Sequence, residues 1–283
     1  MRLRTLPVSI AGVLGGLSCA LLSGNFKVLP FIICLVFAVV AQIVSNFANE
    51  YYDYKHGLDR KGREGFRRGV TEGDITPKAM KRATYILLGI DCLIGGSLII
   101  WGGWWLVFVG LFIAVFALAY SAGPYPLSQR GLGDIAVVVF YGIIPVVFTS
   151  YVVSGTLENL VDTVTIGFVL GLLGDNVLIV NNYRDADDDC KVGKNTTVVI
   201  FGRKVMRGVY FFNFTFSLIV IAVFFLMEKP WPWIISFMVI EFLYFLTWIK
   251  IGRSEGAALN PLLKRTALLM LLTCICMIVA AVT

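Results

Sequence analysis

Two short motifs in this sequence repeat the same arrangement of amide, aromatic and carboxylate side chains. Asn, Tyr and Asp recur at alternate positions, as Asn49, Tyr51 and Asp53 and again as Asn181, Tyr183 and Asp185. The two copies are 132 residues apart, nearly half of the 283-residue chain. A duplicated half that carries one acidic site in each copy is the simplest interpretation.

Each motif follows an apolar segment, and its spacing predicts an oxygen-rich face if the helix continues a turn beyond the membrane. Neighbouring members are three or four residues apart, as in Asn49, Glu50 and Asp53 and in Asn181, Asp185 and Asp189. Residues at this spacing share one face of a helix. Carboxylate and amide oxygens suit Mg²⁺, which readily bridges to substrate phosphates. Two such faces opposite one another would hold a diphosphate between two metal ions. Solvated loop charge is the alternative, but the matched Asn and Tyr offsets favour a site.

Basic side chains accompany both motifs. They are Arg60, Lys61, Arg63, Arg67 and Arg68 after the first, and Arg184, Lys191 and Lys194 around the second. Arg and Lys are natural partners of phosphate oxygens, although many here must anchor the membrane topology. We expect Arg68, Lys191 and Lys194 to contact phosphate.

Candidate site residues also lie between the two motifs. Asp134 opens a predicted helix, where a carboxylate either caps the helix or takes part in catalysis. Tyr120 follows another predicted helix. Tyr51, Tyr120 and Tyr183 either belong to the interfacial aromatic belt or line a pocket for a carbocation, whose charge aromatic faces stabilise.

Three acids, Asp91, Asp175 and Glu241, fall inside predicted membrane spans. Ionisable groups are costly there and invite a functional interpretation. Asp175 lies seven residues before Asn182, so we expect the two side chains to share a face toward the site.

The composition predicts an integral membrane protein, because 58% of the residues are hydrophobic and only 15% are charged. We predict an all-α, polytopic fold in two related halves, formed as one domain over residues 1–283. About nine spans are expected, at 6–24, 29–48, 81–101, 103–120, 133–154, 163–182, 208–227, 231–249 and 264–282. The long polar connections 49–80 and 183–207 are expected to cap the active site.

The distribution of basic residues predicts a cytosolic N-terminus. With nine spans, 22 of the 24 Lys and Arg residues lie on one side of the membrane, and only Lys27 and Lys229 lie on the other. Both acidic motifs then lie at the cytosolic edge. The net charge of +6 therefore reflects topology, and nucleic-acid binding is a poor interpretation of it.

Over almost its whole length the chain resembles the UbiA-type intramembrane aromatic prenyltransferase superfamily. Within that superfamily it is most similar to the branch that prenylates 1,4-dihydroxy-2-naphthoate. The resemblance rests on Arg4–Pro7, Ser45–Asp53, Lys55, Gly57, Asp59, Arg68–Thr71, Gly131–Asp134, Asn181–Asp185, Asp189, Gly193 and Lys194. Two features depart from the family pattern: Glu50 stands where the family usually has Asp, and Asp187 and Asp188 are additional acids.

The resemblance implies Mg²⁺-dependent transfer of a polyprenyl group from a polyprenyl diphosphate to 1,4-dihydroxy-2-naphthoate in the bacterial cytoplasmic membrane. Diphosphate and CO₂ leave, and demethylmenaquinol forms. The implied metal ligands are Glu50, Asp53 and Asp59 at one site and Asp185 and Asp189 at the other. The implied substrate contacts, besides the tyrosines and Asp134, are Arg4, Asn46, Asn49, Asn181 and Asn182. Arg4 would meet the naphthoate carboxylate.

Other functions remain open at this stage. A different aromatic acceptor, such as 4-hydroxybenzoate, homogentisate, a chlorophyllide or haem, would use the same diphosphate motifs. A divalent-cation transporter predicts acids near the bilayer midplane, whereas here the dense clusters lie at one membrane edge. A structural protein that has lost catalysis would not need acids in both motifs.

Overall fold

A computed structural model describes residues 5–61, 67–228 and 232–283, which form an all-α bundle. The predicted all-α class is confirmed. A π-helical segment, Val138–Ile143, lies within the helical stretch Gly133–Ser154. The helices are α1 Leu6–Leu22, α2 Val28–Lys55, α3 Gly69–Glu72, α4 Pro77–Ser97, α5 Ile99–Gly102, α6 Leu106–Ala119, α7 Gly133–Val137, α8 Ile144–Ser154, α9 Leu160–Lys191, α10 Thr197–Glu228, α11 Pro232–Ile251 and α12 Asn260–Val282.

Seven helical stretches are long and apolar enough to cross a bilayer, so this is a multi-pass membrane protein. They are Val28–Lys55, Pro77–Gly102, Gly133–Ser154, Leu160–Lys191, Thr197–Met227, Pro232–Ile251 and Gly256–Val282. Helices α1 and α6 are also apolar but shorter, with 17 and 14 residues. They correspond to the predicted spans 6–24 and 103–120. The total of nine crossings stays a prediction, as does the cytosolic N-terminus.

The helices that carry the two motifs extend well beyond their apolar stretches. Helix α2 continues to Lys55 and α9 to Lys191, whereas hydropathy alone ended them at residues 48 and 182. Polar residues propagate a helix as well as apolar ones, and a lysine in the last turn is favoured by the helix dipole. Much of the segments 49–80 and 183–207 is therefore helical. Helix α10 begins at Thr197 and is broken at Gly202, whose φ of 81° favours glycine.

Helix α9 lies at the centre of the bundle and packs very closely against the π-helical segment. A methyl group at Gly171 would lie 2.6 Å from the backbone oxygen of Val138, and one at Gly167 would lie 2.8 Å from Cα of Ile143. Small residues four apart allow membrane helices to approach at backbone distance. The glycines thus fix the position of the helix that carries the second motif.

Polar side chains join α9 to α10. Asn176 donates through Nδ2 to the backbone oxygen of Tyr210 at 3.1 Å, and Ser217 donates to the backbone oxygen of Val169 at 2.9 Å. All four residues are buried. Such bonds matter in a membrane because no water is present to satisfy the groups instead.

Candidate active site

The first motif surrounds a buried arginine. Asn49 and Asp53 lie one turn apart on α2, and Asp59 and Arg68 come from the chain that follows. Both terminal nitrogens of Arg68 donate to Oδ1 of Asn49 at 3.2 Å. Its Nε lies 3.4 Å from Oδ2 of Asp59, and its Nη2 lies 3.7 Å from Oδ2 of Asp53. The arginine therefore offsets the charge of the two carboxylates.

Glu50 has a separate partner beside this arginine. Its Oε1 accepts a hydrogen bond of 3.0 Å from the backbone nitrogen of Val70, in the first turn of α3. A carboxylate is favoured next to the free N–H groups of a helix start. Glu50 thereby joins α2 to the segment that carries Arg68.

Asp53 is the least satisfied acid of the first motif. It is only 1% exposed, and neither of its carboxylate oxygens accepts a hydrogen bond from the described residues. Buried carboxylates are normally hydrogen-bonded or bound to a metal, because an unsatisfied buried charge is costly. The oxygen-rich donor set and these two open oxygens fit a divalent cation.

In the second motif, an arginine of the motif itself binds the central carboxylate. Arg184 donates through Nε and Nη2 to the two oxygens of Asp185, at 2.7 and 2.8 Å. It also donates to Asn181 at 2.9 Å and to Asn260 of α12 at 2.8 Å. Such a two-point contact between guanidinium and carboxylate is strong and directional. Beyond it, Lys194 lies 3.7 Å from Oδ1 of Asp189.

The two additional acids of the second motif form ion pairs nearer the surface. Arg203 contacts both oxygens of Asp187 at 3.0 and 3.1 Å. Asp188 pairs with Arg60, which follows the first motif, and lies 3.8 Å from Lys191. The pair between Arg60 and Asp188 therefore links the two motifs.

Two adjoining spaces lie between the motifs. One is an apolar cavity of about 230 Å³, whose walls include Phe116, Phe140 and Phe148. The other is a polar pocket of about 30 Å³, lined by groups that include Asp185 and Lys194. The two spaces share the lining residues Asn49, Tyr120, Leu178 and Asn181. An elongated molecule with an apolar tail and an anionic head fits this arrangement.

Many of the predicted site residues meet at these two spaces. The polar pocket is lined by Asn49, Tyr120, Asp134, Asn181, Asn182, Asp185 and Lys194. Asn46 lines the apolar cavity, where its Oδ1 accepts a hydrogen bond of 3.3 Å from Gln42. The structure thus brings the Asn residues of both motifs to one place.

Other predicted residues lie outside the two linings. Glu50, Asp53, Asp59 and Arg68 form the neighbouring cluster on α2, and Asp189 pairs with Lys194. Tyr51 packs against Tyr52, Tyr183 lies under Arg203, and the Lys191 side chain is 61% exposed. Arg4 lies outside the described residues. The roles proposed for all of these residues stay predictions.

Within the described part of the chain, no three acids, histidines or cysteines converge on one point that could hold a metal ion. Arg68 stands among the acids of the first motif, and Arg184 occupies both oxygens of Asp185. The predicted ligand sets are therefore near one another but are held by arginines.

Sequence reasoning missed several groups that hold the site. Ser121 accepts a hydrogen bond of 3.0 Å from Asn49, Thr197 bonds to Asp134, and Asn260 bonds to Arg184. Each contact spans more than 60 residues along the chain. Nothing in the local sequence distinguishes these small polar residues from ordinary ones.

A helical membrane bundle in which an apolar cavity adjoins a polar pocket is suited to a long-chain molecule with a polar head. The chain belongs to the UbiA prenyltransferase family, whose model matches residues 9–275. It is 34% identical over 282 residues to the 1,4-dihydroxy-2-naphthoate octaprenyltransferase of Escherichia coli, covering 96% of this chain and 90% of the relative.

Solved structures show the same fold. A UbiA homolog from Aeropyrum pernix superposes with a TM-score of 0.74 at 15% identity, over 99% of this chain and 98% of that one. A UbiA homolog from Archaeoglobus fulgidus bound to DMAPP and Mg²⁺ gives 0.63 at 17% identity, over 98% of each chain. The recognised superfamily and its fold are thereby confirmed.

Proposed function

We propose that this protein transfers a polyprenyl group from a polyprenyl diphosphate to 1,4-dihydroxy-2-naphthoate, releasing diphosphate and CO₂ and giving demethylmenaquinol. The junction between the apolar cavity and the polar pocket carries the proposal, because Asn49 and Asn181 of the two motifs line both spaces. The similarity to the Escherichia coli octaprenyltransferase supports this choice of acceptor.

The lining residues give each part of the donor its own environment. The isoprenoid tail binds in the apolar cavity, and the diphosphate lies in the polar pocket, where Lys194 donates to its oxygens. The allylic carbon then lies at the junction, beside Tyr120. An aromatic face at that point stabilises the positive charge that develops as the carbon–oxygen bond breaks.

Mg²⁺ is the proposed cofactor. Glu50, Asp53 and Asp59 would hold one ion, and Asp185 and Asp189 would hold the second. The open oxygens of Asp53 support the first assignment. The Archaeoglobus fulgidus homolog, described as bound to DMAPP and Mg²⁺, supports the choice of metal. When bound, Mg²⁺ would supply the Lewis acidity that neutralises the leaving diphosphate.

We further propose that the site faces the cytosol from the bacterial cytoplasmic membrane. The motif ends of α2 and α9 carry the basic residues that concentrate on the cytosolic side of membrane proteins. Short, water-soluble acceptors would reach the polar pocket from that side, and the lipid donor would enter from the bilayer.

A membrane assay tests the function directly. Membranes containing the protein are supplied with 1,4-dihydroxy-2-naphthoate, a polyprenyl diphosphate and Mg²⁺, with and without chelator, and the quinone product is identified by mass. Asp53→Asn and Asp185→Asn are run beside Asp187→Asn. The last variant is the matched control, because it alters an acid of the same motif whose side chain is 72% exposed.

We expect a product of demethylmenaquinone mass that disappears with chelator and in both buried-acid variants but persists in the control. A prenylated product formed only with another aromatic acceptor would contradict the proposed acceptor but would agree with the proposed prenyl transfer. Absence of diphosphate release with every acceptor would contradict the enzyme itself and favour the cation transporter.

A further inference from the structure

Two acids outside the repeated motifs meet at the wall of the polar pocket. Asp134, at the start of α7, lines the pocket, and both of its carboxylate oxygens lie 2.9 Å from the hydroxyl of Thr197. Asp175 of α9 lies behind it and is only 4% exposed. Asn213 donates to Oδ2 of Asp175 at 3.1 Å. The two carboxyl groups are close enough to interact electrostatically.

A hydrogen bond between them would require a proton, because two ionised carboxylates offer only acceptors to each other. Oδ1 of Asp175 is buried, and without such a proton no donor among the described residues reaches it. Two adjacent buried charges would also repel, with little solvent to screen them. One shared proton satisfies the oxygen and removes one of the charges. A pair of carboxyl groups with one proton between them therefore fits this arrangement, and that proton would belong to the pair and not to either residue.

The pair lies where the proposed reaction would need proton transfer, and this step rests on the proposed function. The tail and the head of the donor occupy different spaces, so the reacting carbon must lie at their junction. Asp134 belongs to the polar side of that junction, together with Asn181 and Tyr120. The acceptor ring must come to the same place to attack.

We propose that Asp134 is a catalytic residue that relays a proton on the acceptor ring, and that Asp175 positions it. A bond forms between the allylic carbon and the ring carbon next to the carboxylated one, while the bond to diphosphate breaks. The hydrogen on the alkylated carbon leaves as a proton to the pair, and its bonding electrons return to the ring.

The pair then returns a proton to the ring carbon that bears the carboxylate. The bond from that carbon to CO₂ breaks, and its electrons restore the aromatic ring. The pair passes from one proton to two and back to one, so it is unchanged at the end of the cycle. No external acid or base is consumed.

The test compares Asp134→Asn and Asp175→Asn with wild type in the assay described above. The readouts are kcat, KM for both substrates, the mass of every prenylated product, and binding of geranyl diphosphate with Mg²⁺. Asp162→Asn is the matched control, because Asp162 lies in the first turn of α9, in the same helix as Asp175 but far from the pocket.

We expect Asp134→Asn to lower kcat by about 10²–10⁴-fold, the usual contribution of general acid–base catalysis, while KM and geranyl diphosphate binding change by less than about two-fold. The residual product should retain its carboxyl group and be heavier by the mass of CO₂. Asp175→Asn should also lower kcat and leave KM nearly unchanged. The decrease in kcat should be smaller, because Asp134 is still present. The control should match wild type.

Normal kcat in Asp134→Asn would overturn the relay, and so would loss of geranyl diphosphate binding that parallels the loss of activity. If Asp134→Asn does not fold, Asp134→Glu is tested in its place. The relay predicts that a glutamate at this position keeps both prenyl transfer and decarboxylation. A folded Glu variant without activity would also overturn it. Failure of the wild-type protein to prenylate the naphthoate would instead contradict the proposed function.

Discussion

The two acidic motifs have the same residue pattern, but an arginine contacts the central carboxylate differently in each. In the first motif, Arg68 reaches back from another segment and stays 3.7 Å from Asp53, whose oxygens accept no hydrogen bond from the described residues. In the second motif, Arg184 is the direct neighbour of Asp185 and occupies both of its oxygens. The central acid of the first motif therefore has an ion pair without a hydrogen bond, and that of the second has both.

This difference separates two ways of preparing a metal site. A carboxylate whose oxygens accept no hydrogen bond gains a cation without losing such a bond, and until then Arg68 offsets its charge. A carboxylate that already holds an arginine is stable by itself and must give up that contact to bind a cation. We therefore expect the first motif to bind Mg²⁺ first and the second to depend on the substrate.

The largest effect on stability should come from the second motif. Asp185→Asn leaves the buried guanidinium of Arg184 without its carboxylate, and breaking a buried pair typically costs about 3–5 kcal/mol. Unfolding in mixed micelles with chelator present should show a loss of this size. Adding Arg184→Gln to the variant should restore part of the loss. A neutral result would mean that the pair is not formed in the membrane.

The first motif should respond much less. Asp53→Asn removes a carboxylate that accepts no hydrogen bond from the described residues, and Arg68 keeps Asp59 as a partner, so the free energy of unfolding in chelator should fall by no more than about 1 kcal/mol. Wild type should gain stability on addition of Mg²⁺, and the variant should lose that gain. Equal losses for Asp53→Asn and Asp185→Asn in chelator would contradict the comparison.

The two lysines of the second motif offer a smaller test. Lys194 lines the polar pocket with an 11% exposed side chain, whereas Lys191 is 61% exposed and faces Asp188. Lys194→Met should lower kcat/KM for the polyprenyl diphosphate by about ten-fold or more, the usual size of one charge-assisted hydrogen bond. Lys191→Met should change it by about two-fold at most. The opposite ranking would place the diphosphate outside the polar pocket.

The smallest effect is expected at the surface of the same motif. Arg203 and Asp187 form an ion pair whose side chains are 36% and 72% exposed. Solvent-exposed pairs contribute about 0–1 kcal/mol, so Arg203→Ala should leave both stability and activity close to wild type. A large loss of activity would assign Arg203 to the substrate site.

The sequence was most informative about features that follow a repeated pattern. It was least informative about contacts between single residues that lie far apart along the chain. The apolar segments gave the helices, and the i,i+4 spacing put Asn49 with Asp53 and Asn181 with Asp185 on helical faces. Hydropathy detects only the membrane edge, whereas a helix continues as long as its backbone bonds are made, so α2 and α9 extend beyond their predicted spans.

The partners of the acids could not be predicted in the same way. Arg184 and Arg68 were both recognised as basic neighbours, but adjacency in sequence does not say which oxygen a long side chain reaches. Lys191 lies one turn after Asp188 and pairs with it at the surface, and its expected contact with phosphate stays a prediction. Asn260 contacts Arg184 from 76 residues away, and only the packed bundle brings it there.

The side-chain hydrogen bonds between α9 and α10 have a consequence for biogenesis. When α9 emerges from the ribosome, Asn176 and Asp175 lack their partners in α10, because the Tyr210 backbone oxygen and Asn213 have not yet been synthesised. Amide and carboxyl groups that face lipid alone oppose insertion. We therefore expect the insertion machinery to hold α9 until α10 arrives, and the two helices to enter the bilayer as a hairpin.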